Sequence, residues 1–157
     1  MIPQAVTYLD RLAAQLGGPV ASRLPTAYEQ AGMVREPMHL QAVRVEFERA
    51  AARRVEENNA IRALLKRGAH LPGLGPAHRQ AWAEAAATQD VDLSVSALQA
   101  GNTMLRELLV EMHALLEVMT QDGQAAPSPD EAAVLLEAVW LELRRSTERR
   151  HLPSDRF

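Results

Sequence analysis

A chain of 157 residues is long enough to bury a core without disulfide bonds, and it most simply forms one domain over residues 1–157. Hydrophobic residues make up 47% of the chain and charged residues 24%, which is typical of a soluble globular protein rather than a disordered one. The net charge of −3 gives no basic footprint for nucleic acid, and the absence of cysteine excludes disulfides and thiolate chemistry.

The expected location follows from the apolar segments of the chain. No window approaches the roughly 18 consecutive apolar residues of a membrane span. Asp10 and Arg11 interrupt the only early apolar stretch, so no signal peptide is visible. We therefore expect a cytoplasmic protein with no membrane and no nucleic-acid partner, and nothing in the sequence indicates a cofactor.

Two short helices and then a long one are predicted in the first half. Helical spacing of apolar residues indicates a helix over about 4–16, which the Gly17-Gly18-Pro19 run should stop. A short helix over about 25–34 should begin at Pro25, because proline is favoured at the first helical position. A long helix over about 37–67 should begin at Pro37, leave Glu36 outside as its cap, and end at Gly68. Its predicted core-facing stripe is Leu40, Val43, Phe47, Ala51, Val55, Asn58, Ile61/Arg62 and Leu65.

A second long helix follows a clear break. The run from Leu71 to Pro76 is rich in proline and glycine and should interrupt the helical pattern. A short helix near 76–88 is predicted next, and then a long helix over about 92–121. The predicted core-facing stripe of that long helix is Leu98, Asn102, Leu105, Leu109, Met112, Leu116 and Met119.

The last helix has the clearest local start signal in the chain. Ser128-Pro129-Asp130-Glu131 offers a capping serine, a proline at the first helical position and an acidic first turn. The helix over 129–150 is apolar around much of its girth, which indicates burial on several sides, either inside a bundle or in a subunit interface. Residues 124–127 should form a linker and 151–157 a frayed tail. Since no strand pattern is found, the fold class is all-α, a helical bundle with three long helices.

One short motif occurs twice, 44 positions apart. Asn58-Asn59-Ala60-Ile61-Arg62-Ala63-Leu64-Leu65 and Asn102-Thr103-Met104-Leu105-Arg106-Glu107-Leu108-Leu109 both read Asn-x-x-(apolar)-Arg-x-Leu-Leu. An amide and a guanidinium four residues apart share one face of a helix. Both asparagines fall on the predicted apolar stripes, where a polar group must find a partner.

The repeated motif has several interpretations. The polar side chains could fix the register of paired helices, or the arginines could lay their stems on the seam and keep their heads in water. The similarity could also be chance. The functional alternative is a binding protein or an enzyme with an interior site between the two long helices, in which Asn58, Arg62, Asn102 and Arg106 hold a small anionic ligand. Guanidinium groups bind carboxylate and phosphate. The other charges of the first long helix, Arg44 with Glu48 and Arg53 with Glu57, are interpreted as a solvated face.

A metal-dependent oxidase of the ferritin-like kind is a weaker alternative. Such enzymes bind their metals through two Glu-x-x-His units and two further glutamates in a helical bundle. The chain offers a single Glu-x-x-His unit, formed by Glu36 and His39, and the other pair, His113 with Glu117, lacks companion ligands. No nucleophile elbow and no phosphate-binding loop occur. Catalysis is therefore not the expected function, and no catalytic or metal-binding residue is assigned.

The leading hypothesis is a non-catalytic protein that acts through protein association. The last helix carries more large aliphatic residues than one bundle face can cover, and each one left exposed forgoes roughly 1.5–3 kcal/mol of burial. We expect a homo-oligomer built through this helix and one long helix, with a further protein partner as a second possibility.

Overall fold

The computed structural model describes residues 4–121 and 129–151, and every regular element among them is helical. The helices are α1 (Ala5–Gln15), α2 (Ala27–Met33), α3 (Glu36–Ala69), α4 (Pro76–Ala87), α5 (Val95–Gln121) and α6 (Pro129–Arg150). A π-helical turn (Leu16–Val20) and a 3₁₀ turn (Ala21–Arg23) follow α1. The predicted all-α fold with three long helices is confirmed. The predicted cap Ser128, the predicted linker 124–127 and the predicted tail beyond His151 lie outside the described residues.

The chain divides into two compact units. The described residues up to Ala50 form the first unit together with His151, and residues 51–121 and 129–150 form the second. Helix α3 contributes its residues 36–50 to the first unit and 51–69 to the second. The single domain expected from chain length stays a prediction.

The Gly17-Gly18-Pro19 run was predicted to stop the first helix, but in the first unit the helical backbone continues through it. The backbone stays helical from Ala5 to Arg23, and Pro19 is accommodated within the π-helical turn. A wider turn relieves the crowding that a proline ring causes in an α-helix. Gly17 is required for close approach, because a Cβ there would lie 2.9 Å from Cγ of Pro37.

Helix α2 begins at Ala27, two residues later than the predicted start at Pro25. Thr26 is the N-cap, and its Oγ1 accepts a hydrogen bond from the Glu29 backbone N–H at 3.2 Å. The Glu29 carboxylate accepts in turn from the Thr26 backbone N–H at 3.1 Å. This reciprocal pair satisfies two donors that a helix start otherwise leaves free. It fixes the start of the helix more strongly than the proline does.

Helix α3 departs from the prediction at both ends and along its first half. It starts at Glu36 and ends at Ala69, so Glu36 and Gly68 both lie inside it. Val43 and Phe47, predicted to face the core, are exposed, whereas Val45 is buried. From Asn58 onward the predicted stripe is correct, and Asn58, Ile61 and Leu65 are fully buried.

The core of the second unit is built from α3, α4, α5 and α6. Trp82 of α4 is completely buried among side chains of the other helices. The six predicted core residues of α5 from Leu98 to Leu116 are all buried. The cluster is completed by Ala132, Leu135 and Val139 of α6. Gly68 allows this packing, because a Cβ there would meet Cε of Met112 and lie 3.0 Å from the Trp82 ring.

Helix α5 begins at Val95, three residues after its predicted start. The Ser94 backbone N–H donates to the Asp92 carboxylate at 2.8 Å, and the Ser94 hydroxyl accepts from the Ala97 N–H at 3.4 Å. These bonds terminate the preceding loop and cap the helix. No helix among residues 4–121 and 129–151 is both long and apolar enough to cross a membrane.

Candidate functional site

The two asparagines of the repeated motif meet inside the second unit. Asn102 Nδ2 donates to Asn58 Oδ1 at 2.9 Å, and both side chains are buried. Asn58 Nδ2 donates to the Leu98 carbonyl at 3.3 Å and to the Asp90 carboxylate at 3.1 Å. Because Asn58 Nδ2 faces two acceptors, the orientation of both amides is determined. The pair joins α3 to α5 at one defined register.

The Arg62 side chain binds the loop between α4 and α5 rather than the asparagine pair. Its two terminal nitrogens bind the Asp90 carboxylate as a fork, at 3.0 Å and 2.6 Å. Its Nε donates to the Thr88 hydroxyl at 3.0 Å, and Nη1 also donates to Asn59 Oδ1 at 3.3 Å. The hydrogen bonds from Arg62 lower the pKa of Asp90, against the opposing effect of burial. Arg62 is thus almost fully engaged in fastening this loop to α3.

Arg106 points to a different carboxylate. Its Nη1 donates to Glu57 at 3.1 Å, and Arg54 Nη1 donates to the same carboxylate at 3.1 Å. Arg150 Nη2 binds both oxygens of Glu57 at 2.8 and 3.1 Å, and the Ser146 hydroxyl donates at 2.9 Å. One buried carboxylate therefore joins α3, α5 and α6.

Glu57 is ionised in this environment although it is only 2% exposed. Burial alone would raise its pKa, but the hydrogen bonds from Arg150 and Ser146 and the charges of Arg150 and Arg106 outweigh burial and lower the pKa. The interpretation of Glu57 as part of a solvated face was wrong. It was missed because helical spacing shows which residues share a face but not that a second and a third helix cover that face.

The pKa of Glu142 is shifted in the direction opposite to that of Glu57. It is buried on α6 and bonded to Arg149. Burial raises its pKa, and the nearby charge of Glu57 acts in the same direction. The two buried carboxylates of this region thus differ because, among the described residues, Glu57 has three cationic hydrogen-bond donors and Glu142 has one.

The four predicted ligand residues therefore do not converge on one site. The asparagines meet each other, Arg62 binds Asp90, and Arg106 binds Glu57. The sequence did not predict Asp90 and Glu57 as the partners of the two arginines. Asp90 lies in a short loop with no sequence signal that it returns to α3. The role of the four residues as a ligand site stays a prediction.

Two clefts adjoin these clusters. The first, of about 530 Å³, is lined by apolar side chains of α4 and α5 and by the paired Arg62, Thr88 and Asp90. The second, which we call the arginine cleft, has a volume of about 490 Å³. Its charged and amide lining comprises Arg54, Gln99, Asn102, Arg106, Glu107 and Arg150.

The residues of the metal hypothesis lie on the surface. His39 and Glu36 are 3.6 Å apart within α3, with side chains 73% and 53% exposed. Their placement is that of a solvent-facing pair one turn apart rather than ligands directed into a bundle. Within the described ranges, no group of three or more His, Asp or Glu side chains is arranged to hold a metal ion.

Comparison of the chain with protein-family models, with curated proteins and with solved structures gave no match.

Proposed function

We propose that this protein acts without catalysis, by associating with a second copy of itself through the solvent-facing side of α6. The proposal is carried by one observation, an apolar strip on α6 that lies between acidic and basic ends. We call this surface, formed by Asp130, Glu131, Val134, Glu137, Ala138, Trp140, Leu141, Arg144 and Arg145, the α6 face.

The apolar part of the α6 face is exposed in the single chain. Trp140 is 54% and Val134 58% exposed, and Leu141 is exposed as well. The opposite side of α6 carries Ala132 and Leu135 into the core of the second unit. Apolar residues therefore occupy two sides of α6, and the core covers only one of these sides. Burial of the other part against a second copy would supply the usual driving force of association.

The charges of the α6 face indicate how two copies would align. The acidic residues Asp130 and Glu131 are in the first turn, whereas Arg144 and Arg145 follow the apolar strip. In an antiparallel pair related by a two-fold axis near Ala138, each acidic end meets the basic end of the second copy. Val134 then packs beside Leu141 of the other copy. Such a self-complementary surface is what a symmetric dimer requires.

The helix dipole offers a competing explanation, since acidic residues at a helix start and basic residues at its end stabilise an isolated helix. An experiment with paired charge reversals separates the two. Molar mass is measured by light scattering after size exclusion, at micromolar to millimolar concentration, for the wild type, Glu131→Arg, Arg145→Glu and the double variant. We expect a dimer that each single reversal weakens and that the double reversal restores. The dipole explanation predicts no dimer, or no restoration.

A hydrophobic substitution provides the second arm. Val134→Glu should abolish the dimer, because it places a charge in the apolar strip. Val118→Glu is the matched control, since Val118 of α5 is 56% exposed and carries the same side chain. A wild type that remains monomeric at millimolar concentration would refute the proposal, as would equal effects of the two valine variants. The cytoplasmic location and the lack of nucleic-acid partners stay predictions from composition.

A further inference from the structure

The arginine cleft has a composition that the association proposal does not use. Arg54, Arg106 and Arg150 all line it, and all three donate to the single carboxylate of Glu57 beneath. Cations therefore outnumber anions in the cluster, even when Glu107 at the cleft wall is counted. A structural salt bridge needs one guanidinium for one carboxylate, so the excess of positive charge in the cluster favours the binding of a further anion.

The guanidinium groups also keep donors available. Within the described part of the chain, each of the three arginines binds Glu57 through one terminal nitrogen. Arg106 and Arg150 have side chains 40% and 39% exposed, so solvent reaches them from the cleft. Because Arg presents up to five donors in a planar fork, a second oxyanion can be bound without displacing Glu57.

An independent observation comes from Asn102. Its side chain is 1% exposed and lines the cleft, and Oδ1 has no hydrogen-bond partner within the described part of the chain. Asn58 Nδ2 donates to the Asp90 carboxylate and to the Leu98 carbonyl, so Asn58 must present Oδ1 to Asn102. Asn102 therefore donates through Nδ2, which fixes the position of its own Oδ1. A buried acceptor without a donor is unfavourable, so Asn102 Oδ1 marks a place for a ligand O–H or N–H group.

We infer that the arginine cleft binds a phosphate-type oxyanion that carries a hydroxyl donor, with Arg54, Arg106 and Arg150 contacting its charged oxygens and Asn102 accepting from its O–H. Hydrogen phosphate has both features, and a phosphate monoester of a hydroxylated metabolite has them too. Sulfate at neutral pH has the charge but lacks the donor. The site lies on the core side of α6, away from the α6 face, so it can be tested separately from association.

The test is isothermal titration of the full chain with inorganic phosphate at pH 7 and low ionic strength, compared with sulfate and with a sugar phosphate. We expect phosphate to bind more tightly than sulfate, and Arg106→Gln to weaken phosphate binding by about tenfold or more. Arg79→Gln is the matched control, since Arg79 lies on α4 and binds only the Leu74 carbonyl among the described residues. It should leave the affinity unchanged.

A gain-of-affinity variant guards against effects on folding. Glu107 is exposed on α5 and lines the cleft, so Glu107→Gln removes a repelling charge without disturbing the core. It should tighten phosphate binding by about twofold to fivefold. Tighter binding of the sugar phosphate than of phosphate would identify an ester as the ligand class. Absence of phosphate binding to the wild type, sulfate binding as tight as phosphate binding, or weaker binding by Glu107→Gln would overturn the inference.

Discussion

Asn58 Oδ1 accepts a hydrogen bond of 2.9 Å from Asn102 Nδ2 in a fully buried position between α3 and α5. Polar pairs of this kind stabilise one register because any slip leaves amide groups without partners. We expect Asn102→Leu to lower the free energy of unfolding by about 1–3 kcal/mol, because Asn58 Oδ1 loses its donor. Urea unfolding followed by circular dichroism measures this change.

The double variant Asn58→Leu with Asn102→Leu tests the coupling of the pair. Its loss should be smaller than the sum of the single losses, by about 0.5–3 kcal/mol, because the second substitution removes the group that the first left unpaired. Strictly additive losses would show that the two amides do not support each other.

Arg62 and Asp90 form an enclosed ion pair, with both side chains 10% exposed. Arg62→Met should lower the free energy of unfolding by about 1–3 kcal/mol, because it leaves the part-buried Asp90 carboxylate without its cation. Arg62→Lys should recover only part of this loss, since an ammonium group cannot form the fork. Thermal and urea unfolding should give the wild type as most stable, Arg62→Lys as intermediate and Arg62→Met as least stable. Equal stability of the two variants would contradict the role of the fork.

The pH dependence of stability should follow the ionised Glu57. The folded-state pKa of Glu57 lies below its ordinary value of 4.5. The contribution of Glu57 to stability is therefore complete above that value and is lost as pH falls through the folded-state pKa. Glu57→Gln should therefore be less stable than the wild type at pH 7, by about 1–3 kcal/mol. The difference should shrink as pH is lowered below about 4.5, the value for the unfolded chain, as measured by urea unfolding at each pH.

Glu142→Gln is the control of opposite sign. The pKa of Glu142 is raised above 4.5, so its charged form weakens the fold as pH rises through the folded-state pKa. The variant should therefore gain stability relative to the wild type between acidic and neutral pH. The same direction of pH dependence in both variants would show that the charges of the two carboxylates are not the cause.

Two glycines on facing helices should respond oppositely to alanine. At Gly68, a Cβ would collide with Met112 and lie 3.0 Å from Trp82, so Gly68→Ala should destabilise by about 1–3 kcal/mol. At Gly101, the nearest atoms would be 3.8 Å away, so Gly101→Ala should stabilise by up to about 1 kcal/mol through helix propensity. Calorimetric melting of both variants measures the contrast, and a stabilising Gly68→Ala would refute the packing described for Trp82.

Glu137 is the one residue of the α6 face whose charge opposes association in an antiparallel pair. It lies close to the proposed two-fold axis, so two copies would bring two Glu137 carboxylates together. Glu137→Gln should therefore tighten the dimer, by about twofold to fivefold. Sedimentation equilibrium of the variant and the wild type measures the change, and a weakened dimer would contradict the antiparallel arrangement.

The sequence predicted the helices and most of their bounds because helix formation depends on local spacing and on end signals. The stripe of α5 from Leu98 to Leu116 was correct throughout, since one side of that helix meets a continuous core. The stripe of α3 failed at Val43 and Phe47, which have the right spacing but are not covered by any of the described residues of their unit. Periodicity identifies a face, and packing decides whether the face is buried.

The sequence by itself determined an all-α chain with buried asparagines at Asn58 and Asn102, because amphipathic spacing places them on apolar stripes. Only the tertiary structure decided the partners of the arginines. Arg62 binds Asp90 of the loop between α4 and α5, and Glu57 accepts hydrogen bonds from Arg106 of α5 and Arg150 of α6. Long-range charge pairs depend on how helices are arranged in space, and the spacing of residues along one helix carries no information about a carboxylate on another element.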